Sequence, residues 1–167
     1  PDIVTRKSTA LILKDQVKYF CGGTGSSVGA AMSTVAEQNN AIMFSYGMDA
    51  ASLTGQKCSK NFFRPGTNTD MHSYALAAYI AKSKFKKVYC IGQDYSFGYE
   101  SIKPFISRIK KLNPSIEIVA EVYHPLGEKD FGPYVSRIVA SGADLVFTTS
   151  WGNDLTLHAR GSFLMAF

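Results

Sequence analysis

Cysteine is scarce and its spacing carries little: Cys21, Cys58 and Cys90 are the three in 167 residues. An odd number with long gaps excludes a self-contained disulfide framework and a CxxC metal pair, and it leaves the redox compartment undecided. No apolar run approaches the ~20 residues that span a bilayer. Repeats and low-complexity tracts are missing too. The chain opens at Pro1 on an amphipathic segment, without the charged start, apolar stretch and small-residue cleavage site of a secretory leader. Charged residues are thin, at 19%, and the net charge of +5 falls short of a nucleic-acid footprint. Basic pairs such as Lys86-Lys87 and Lys110-Lys111 fall near predicted helix ends, where cations suit the helix dipole.

What is present is a chain 46% apolar and 13% aromatic, a globular composition. At roughly 150 residues per domain it amounts to about one domain, or two small lobes. Its hydrophobic period alternates between helical and extended in a regular order. Helices are expected over 3–15, 26–39, 70–84, 100–112, 134–141 and 154–163. Strands are expected over 17–21, 41–46, 61–64, 88–91, 116–122 and 145–149. Asp70 is the expected N-cap of the third helix, with Tyr74, Ala77, Ala78 and Ala81 as its apolar stripe. Cys21 and Cys90, inside apolar strand-like runs, read as buried small hydrophobes.

Strands separated by helices call for right-handed parallel crossovers, so the fold class is α/β, with doubly wound parallel sheets covered on both faces. A turn-rich seam, Pro65-Gly66-Thr67-Asn68-Thr69, divides the chain into a first lobe, 1–66, and a second, 67–167. Three strands on each side is few for such sheets, and a bare sheet edge would favour aggregation or pairing with another chain.

In open α/β sheets ligands gather at the carboxyl ends of strands, which directs the search to four loops. The first, Gly22-Gly23-Thr24-Gly25-Ser26-Ser27-Val28-Gly29, offers glycines, hydroxyls and free backbone N–H groups at a helix start, a cradle for an anion. It also carries a loose dinucleotide fingerprint, Gly23-x-Gly25 with Gly29, without the acidic residue that would hold a ribose. Gly25-Ser26-Ser27-Val28-Gly29 satisfies G-x-S-x-G, and it makes Ser27 the nucleophile of an alternative α/β hydrolase with His158 and Asp144 or Asp154. Tyr99-x-x-x-Lys103 has the spacing of the tyrosine-lysine pair of short-chain dehydrogenases but lies too close to the glycine loop. The second loop, after Tyr46, presents Met48 and Asp49; Asp49 suits either an Asx turn or a ligand ammonium group. The third, Gly92 to Tyr99, holds Tyr95 and Phe97, and the fourth holds Trp151, the sole tryptophan. Aromatics beyond a buried sheet commonly face a groove, and this division of a polar cradle from aromatic walls suits a small zwitterion. No metal-ligand cluster or nucleic-acid pattern is present, and no cofactor is expected.

These segments resemble the type I periplasmic solute-binding proteins of ABC importers, the leucine/isoleucine/valine-binding class. The carriers are Val17-Lys18-Tyr19-Phe20-Cys21-Gly22 running into Ser26-Ser27, Phe44-Ser45-Tyr46-Gly47 with Leu53-Thr54, Phe62-Phe63-Arg64 and Asp94-Tyr95-Ser96-Phe97-Gly98. Glu128-Lys129-Asp130-Phe131 ahead of Arg137-Ile138 and Ala143-Asp144-Leu145-Val146 complete the set. The resemblance implies a non-enzymatic protein of two lobes that captures a small molecule (an amino acid, an amide or similar) and hands it to a membrane ABC permease. It implies a periplasmic or extracellular location, with lipid anchoring as one means of retention. Ser26 and Ser27 would hold the ligand carboxylate, Met48 would offer a carbonyl, Asp49 would face the ligand, and Tyr95, Phe97 and Trp151 would wall it. Asp49 stands where the family often has threonine or serine, and Phe97 and Trp151 stand where it often has tyrosine. These departures favour an amine or amide near Asp49 and a more apolar wall, and they leave urea-like solutes and aromatic acids open beside branched-chain amino acids. Against the family pattern the chain is an internal fragment, incomplete at both ends. A ligand-sensing domain of a receptor with the same fold is a second alternative.

Overall fold

The computed structural model describes residues 2–165, with side chains to residue 161; Pro1 and the last two residues lie outside the described part. The elements run α1 (Asp2–Leu13), β1 (Tyr19–Cys21), α2 (Ser26–Gln38), β2 (Ile42–Phe44), a 3-10 turn (Ala51–Thr54), β3 (Phe62–Phe63) and α3 (Thr69–Ile80). They continue β4 (Lys87–Gln93), α4 (Ser96–Leu112), β5 (Glu117–His124), α5 (Gly132–Ala140), β6 (Leu145–Thr148) and α6 (Gly152–Met165). Two compact units divide the chain, 1–72 and 73–167, so the division falls within α3 and not at Gly66.

In the first unit β1, β2 and β3 form a parallel sheet in that order, with Tyr19 beside Ile42 and Phe44 beside both Cys21 and Phe63. Alternation sends Phe20, Met43 and Phe62 inward, where they cluster with Ala36, Met48, Ala50 and Leu53. The other face was expected to be covered and is not: Tyr19, Cys21, Phe44 and Phe63 are exposed there, Phe44 stacked on Phe63 at 5.5 Å. Cys21 is therefore an exposed thiol and not a core residue, because an outward position on a short strand is apolar in sequence whether or not anything packs on it.

In the second unit the parallel order is β5-β4-β6. The central β4 reads Lys-Val-Tyr-Cys-Ile-Gly-Gln and is buried from Val88 to Gln93, the near-continuous apolar run of a strand covered on both faces. Val88, Cys90, Ile102, Phe105, Ile109, Ile116 and Phe147 make the core, with Phe105 and Phe147 stacked at 4.0 Å. Asp144 closes the amino end of this sheet, its carboxylate accepting the backbone N–H groups of Lys86 and Lys87, each at 2.9 Å. Those two bonds hold its carboxyl below the usual carboxylate range. In α3 the buried face is Ser73, Ala77 and Ile80, whereas Tyr74 is exposed. The cap is Asn68, whose Oδ1 accepts from Met71 N at 2.9 Å, and Asp70 is already inside the helix.

Candidate functional site

Each unit carries its own polar or aromatic surface at the carboxyl ends of its strands. In the first unit β1 turns through Gly22, Gly23 and Gly25, all at positive φ, into the start of α2. Ser26 is the first residue of that helix and 2% exposed, and its Oγ accepts from Ala50 N at 3.0 Å. The hydroxyl hydrogen stays available to donate. Ser27 is exposed beside it, at a helix end with no side-chain cap, where unpaired N–H groups favour an anion. Met48 is fully buried, and its side chain occupies the space that the glycines leave open. A Cβ on Gly29 would lie 2.4 Å from Met48 Sδ, and one on Gly23 would lie 2.0 Å from Met48 Cε. The glycine spacing that imitates a nucleotide loop thus seats a methionine.

Arg64 is the residue that sequence reasoning missed. Its Nη1 donates to Met48 O at 3.0 Å and to Ala50 O at 2.8 Å, and its Nη2 bonds Thr54 Oγ1. The planar fork suits paired carbonyls. A cation just beyond the apolar pair Phe62-Phe63 is the signal that could have found it. Thr69 completes the hold on the loop, its N donating to Asp49 O at 2.9 Å and its Oγ1 accepting from Ala51 N at 3.0 Å. The Met48 carbonyl expected to face a ligand is thus already bonded once, and Asp49 is half-buried in a loop fixed on both sides.

In the second unit Tyr95, Phe97 and Trp151 come together: the Tyr95 and Phe97 rings lie 6.0 Å apart and Trp151 Nε1 donates to Tyr95 Oη at 2.9 Å. Trp151 remains 47% exposed. Phe97 belongs to the first turn of α4, which starts at Ser96, ahead of the expected Glu100. Gly98 allows that turn to press on β4, since a Cβ there would meet Gln93 O at 2.0 Å. Behind this wall lies a buried polar layer, with His124 Nε2 2.8 Å from Ser150 Oγ and its Nδ1 2.9 Å from Pro125 O. A carbonyl can only accept, so Nδ1 carries the hydrogen, and in the neutral ring Nε2 accepts from the serine. His158 sits on α6 with its ring stacked against Phe131 at 5.4 Å; burial first, and then His124, lower its pKa.

Several side chains of the enzyme alternatives have partners of their own. Within the first unit His72 Nε2 bonds Thr67 Oγ1, and Asp144 is spent on backbone N–H groups at the amino end of its sheet. Tyr99 donates its hydroxyl to Asp94, a bond that raises its pKa, the opposite of what a dehydrogenase tyrosine needs; Lys103 Nζ stands 5.5 Å from the ring centre. Among the described residues no cluster of three or more metal-ligating side chains occurs, and no helix is long and apolar enough to cross a membrane.

Comparison with known proteins gives the family and the fold. A family model described as "Periplasmic binding protein" matches residues 1–160, and the chain belongs to that family. A Brucella abortus protein named "Leu/Ile/Val-binding protein homolog 4" is 27% identical over 160 residues, covering 90% of this chain and 38% of its own length. Among solved structures, an R. palustris ABC-transporter solute-binding protein in complex with 4-hydroxybenzoate superimposes with a TM-score of 0.92 at 23% identity, over 99% of this chain and 44% of that one. A Brucella ovis leucine-, isoleucine-, valine-, threonine- and alanine-binding protein in a closed conformation gives 0.81 at 24%, over 98% and 44%. These structures establish the fold, periplasmic-binding-protein type I. The chain spans less than half the length of the relatives it matches. It is thus similar to part of them, and those relatives are named as solute-binding or amino-acid-binding proteins.

Proposed function

We propose that the protein is the extracytoplasmic solute-capturing component of an ABC importer, periplasmic or held at the membrane by a lipid, and that its solute is a small carboxylate. The first unit offers a carboxylate the Ser26 hydroxyl, Ser27 and the first N–H groups of α2, with Met48 and Asp49 beside them. The second unit offers an apolar ring the surface of Tyr95, Phe97 and Trp151. The carrying observation is the 2.9 Å Tyr95–Trp151 bond, made by an indole that stays 47% exposed beside half-buried Tyr95 and Phe97. An aromatic cluster left partly open at strand ends suits an apolar partner. Two solute classes compete, branched-chain amino acids, as the names of the Brucella relatives suggest, and aromatic acids, as the R. palustris complex suggests. A wall that is apolar but for one phenol and one indole N–H suits the ring of an aromatic acid. Asp49 is the feature that favours an amino group.

Titrating the protein with 4-hydroxybenzoate and with leucine, following Trp151 emission, separates the two. We expect saturable quenching or a blue shift with one of them, and at least tenfold weaker binding in Ser26→Ala, in keeping with a lost hydrogen bond to a charged group. Trp151 emission that responds to neither compound, nor to other small carboxylates, would contradict the assignment.

A further inference from the structure

Asp154 stands 4% exposed in the first turn of α6, and Gln93 stands 2% exposed at the end of β4. A single oxygen of Asp154, Oδ2, accepts from Gln93 Nε2 at 2.7 Å and from Gly127 N, in the loop after β5, at 3.1 Å. Placing a carboxyl inside is costly unless it accepts hydrogen bonds. Here the donors come from the end of β4 and the loop after β5, and neither Asp154 nor Gln93 belongs to the apolar core of the unit. Two residues beyond Gln93 lies Tyr95, and three before Asp154 lies Trp151, the pair already bonded at the surface. The same two chain segments are thus clamped twice, once in the open by Trp151 on Tyr95 and once beneath by Gln93 on Asp154. His124 adds a third tie, between the end of β5 and the loop that carries Trp151, through Ser150 Oγ at 2.8 Å.

We infer that Asp154 is a positioning residue: through one carboxylate oxygen it joins all three strand-end loops of the second unit and fixes where the Tyr95–Trp151 wall stands. This deepens the proposed function and rests on it for the ligand. The claim about the wall itself does not need a ligand.

The test uses Asp154→Leu, which removes the acceptor at similar volume, and Asp154→Asn, whose carbonyl oxygen can occupy the Oδ2 position and accept both bonds. The readouts are the Trp151 indole N–H resonance with its exchange rate, measured well below the unfolding temperature, and affinity for 4-hydroxybenzoate and leucine. Tyr95→Phe, which deletes the oxygen that Trp151 bonds, defines the released indole. We expect Asp154→Leu to move the indole resonance towards that of Tyr95→Phe and to weaken solute binding about tenfold. Asp154→Asn should restore both. An indole unchanged in Asp154→Leu, with only a lower unfolding temperature, would overturn the inference, as would an Asp154→Asn no better than Asp154→Leu. If Asp154→Leu does not fold, Gln93→Met breaks the same bond from the other end and is read in the same way. Failure of the wild type to bind any small carboxylate would remove the functional reading, while the indole measurement would still decide the role of Asp154.

Discussion

Replacing Arg64 with alanine should loosen the loop that carries Met48 and Asp49, and the structure sets the size of the effect. The guanidinium bonds Met48 O, Ala50 O and Thr54 Oγ1. Met48 and Ala50 are both buried, whereas the Thr54 contact is exposed. A hydrogen bond from a charged donor is worth about 1.5–3 kcal/mol net, and ordering an arginine side chain costs up to about 2 kcal/mol. Two part-buried carbonyl bonds less that cost leave about 1–4 kcal/mol of lost stability, the exposed Thr54 bond adding little. Arg64→Lys can reach one carbonyl but not both with fixed geometry, so it should lose roughly half as much. Urea unfolding followed by far-ultraviolet circular dichroism measures this. With a denaturant slope of about 2 kcal/mol/M, the Arg64→Ala midpoint should fall by about 0.5–2 M. Trp151 fluorescence, which reports only on the second unit, separates the lesion from a general one. A midpoint unchanged in Arg64→Ala, or equal losses in the lysine and alanine variants, would refute the assignment of the loop's stability to the paired carbonyl bonds.

Further expectations follow the same reasoning. Gly29→Ala drives a methyl group into Met48 and should cost about 1–3 kcal/mol in unfolding experiments, most of it recovered by Met48→Ala in the double variant. The exposed thiols of Cys21 and Cys58 should react with a thiol reagent under native conditions. Cys90 should react only on unfolding, because burial pushes its pKa up to about 12 and shuts out the reagent. His158 has a folded-state pKa below its ordinary value of about 6.5, so the unfolded chain binds the proton more readily. Its contribution to stability is full above pH ~6.5 and declines as pH falls from there through the folded pKa. His158→Gln should flatten that part of an unfolding-versus-pH curve.

The order of helices and strands was legible because a 3.6-residue and a two-residue period are hard to confuse over whole elements, and the parallel sheets followed from the crossovers. What the sequence left unread involves contacts between segments distant along the chain. The start of α4 was hidden because Phe97 and Tyr99 resemble loop aromatics, and only the approach of Gly98 to Gln93 O explains a helical turn there. The exposed position of Cys21 depends on what lies over a sheet face, which an apolar strand cannot report. The glycines of the first loop suggest an anion cradle by sequence, and the room that two of them, Gly23 and Gly29, leave is filled by Met48. Arg64 and Asp154 act through bonds to residues 10 to 16 and 27 to 61 positions away, respectively, so their partners could not be found from local spacing. The aromatic residues of the wall were legible as site candidates by their place after strand ends. Their mutual contacts were not.

Native mass spectrometry of the purified protein, followed by denaturation of the same sample, tests the central claim most directly. The account predicts a small non-covalent adduct, or one formed on adding 4-hydroxybenzoate or leucine, that disappears on unfolding and is weakened by Trp151→Ala. A protein that carries no adduct and takes up no small carboxylate at millimolar concentration, while remaining folded, would contradict a solute-binding role.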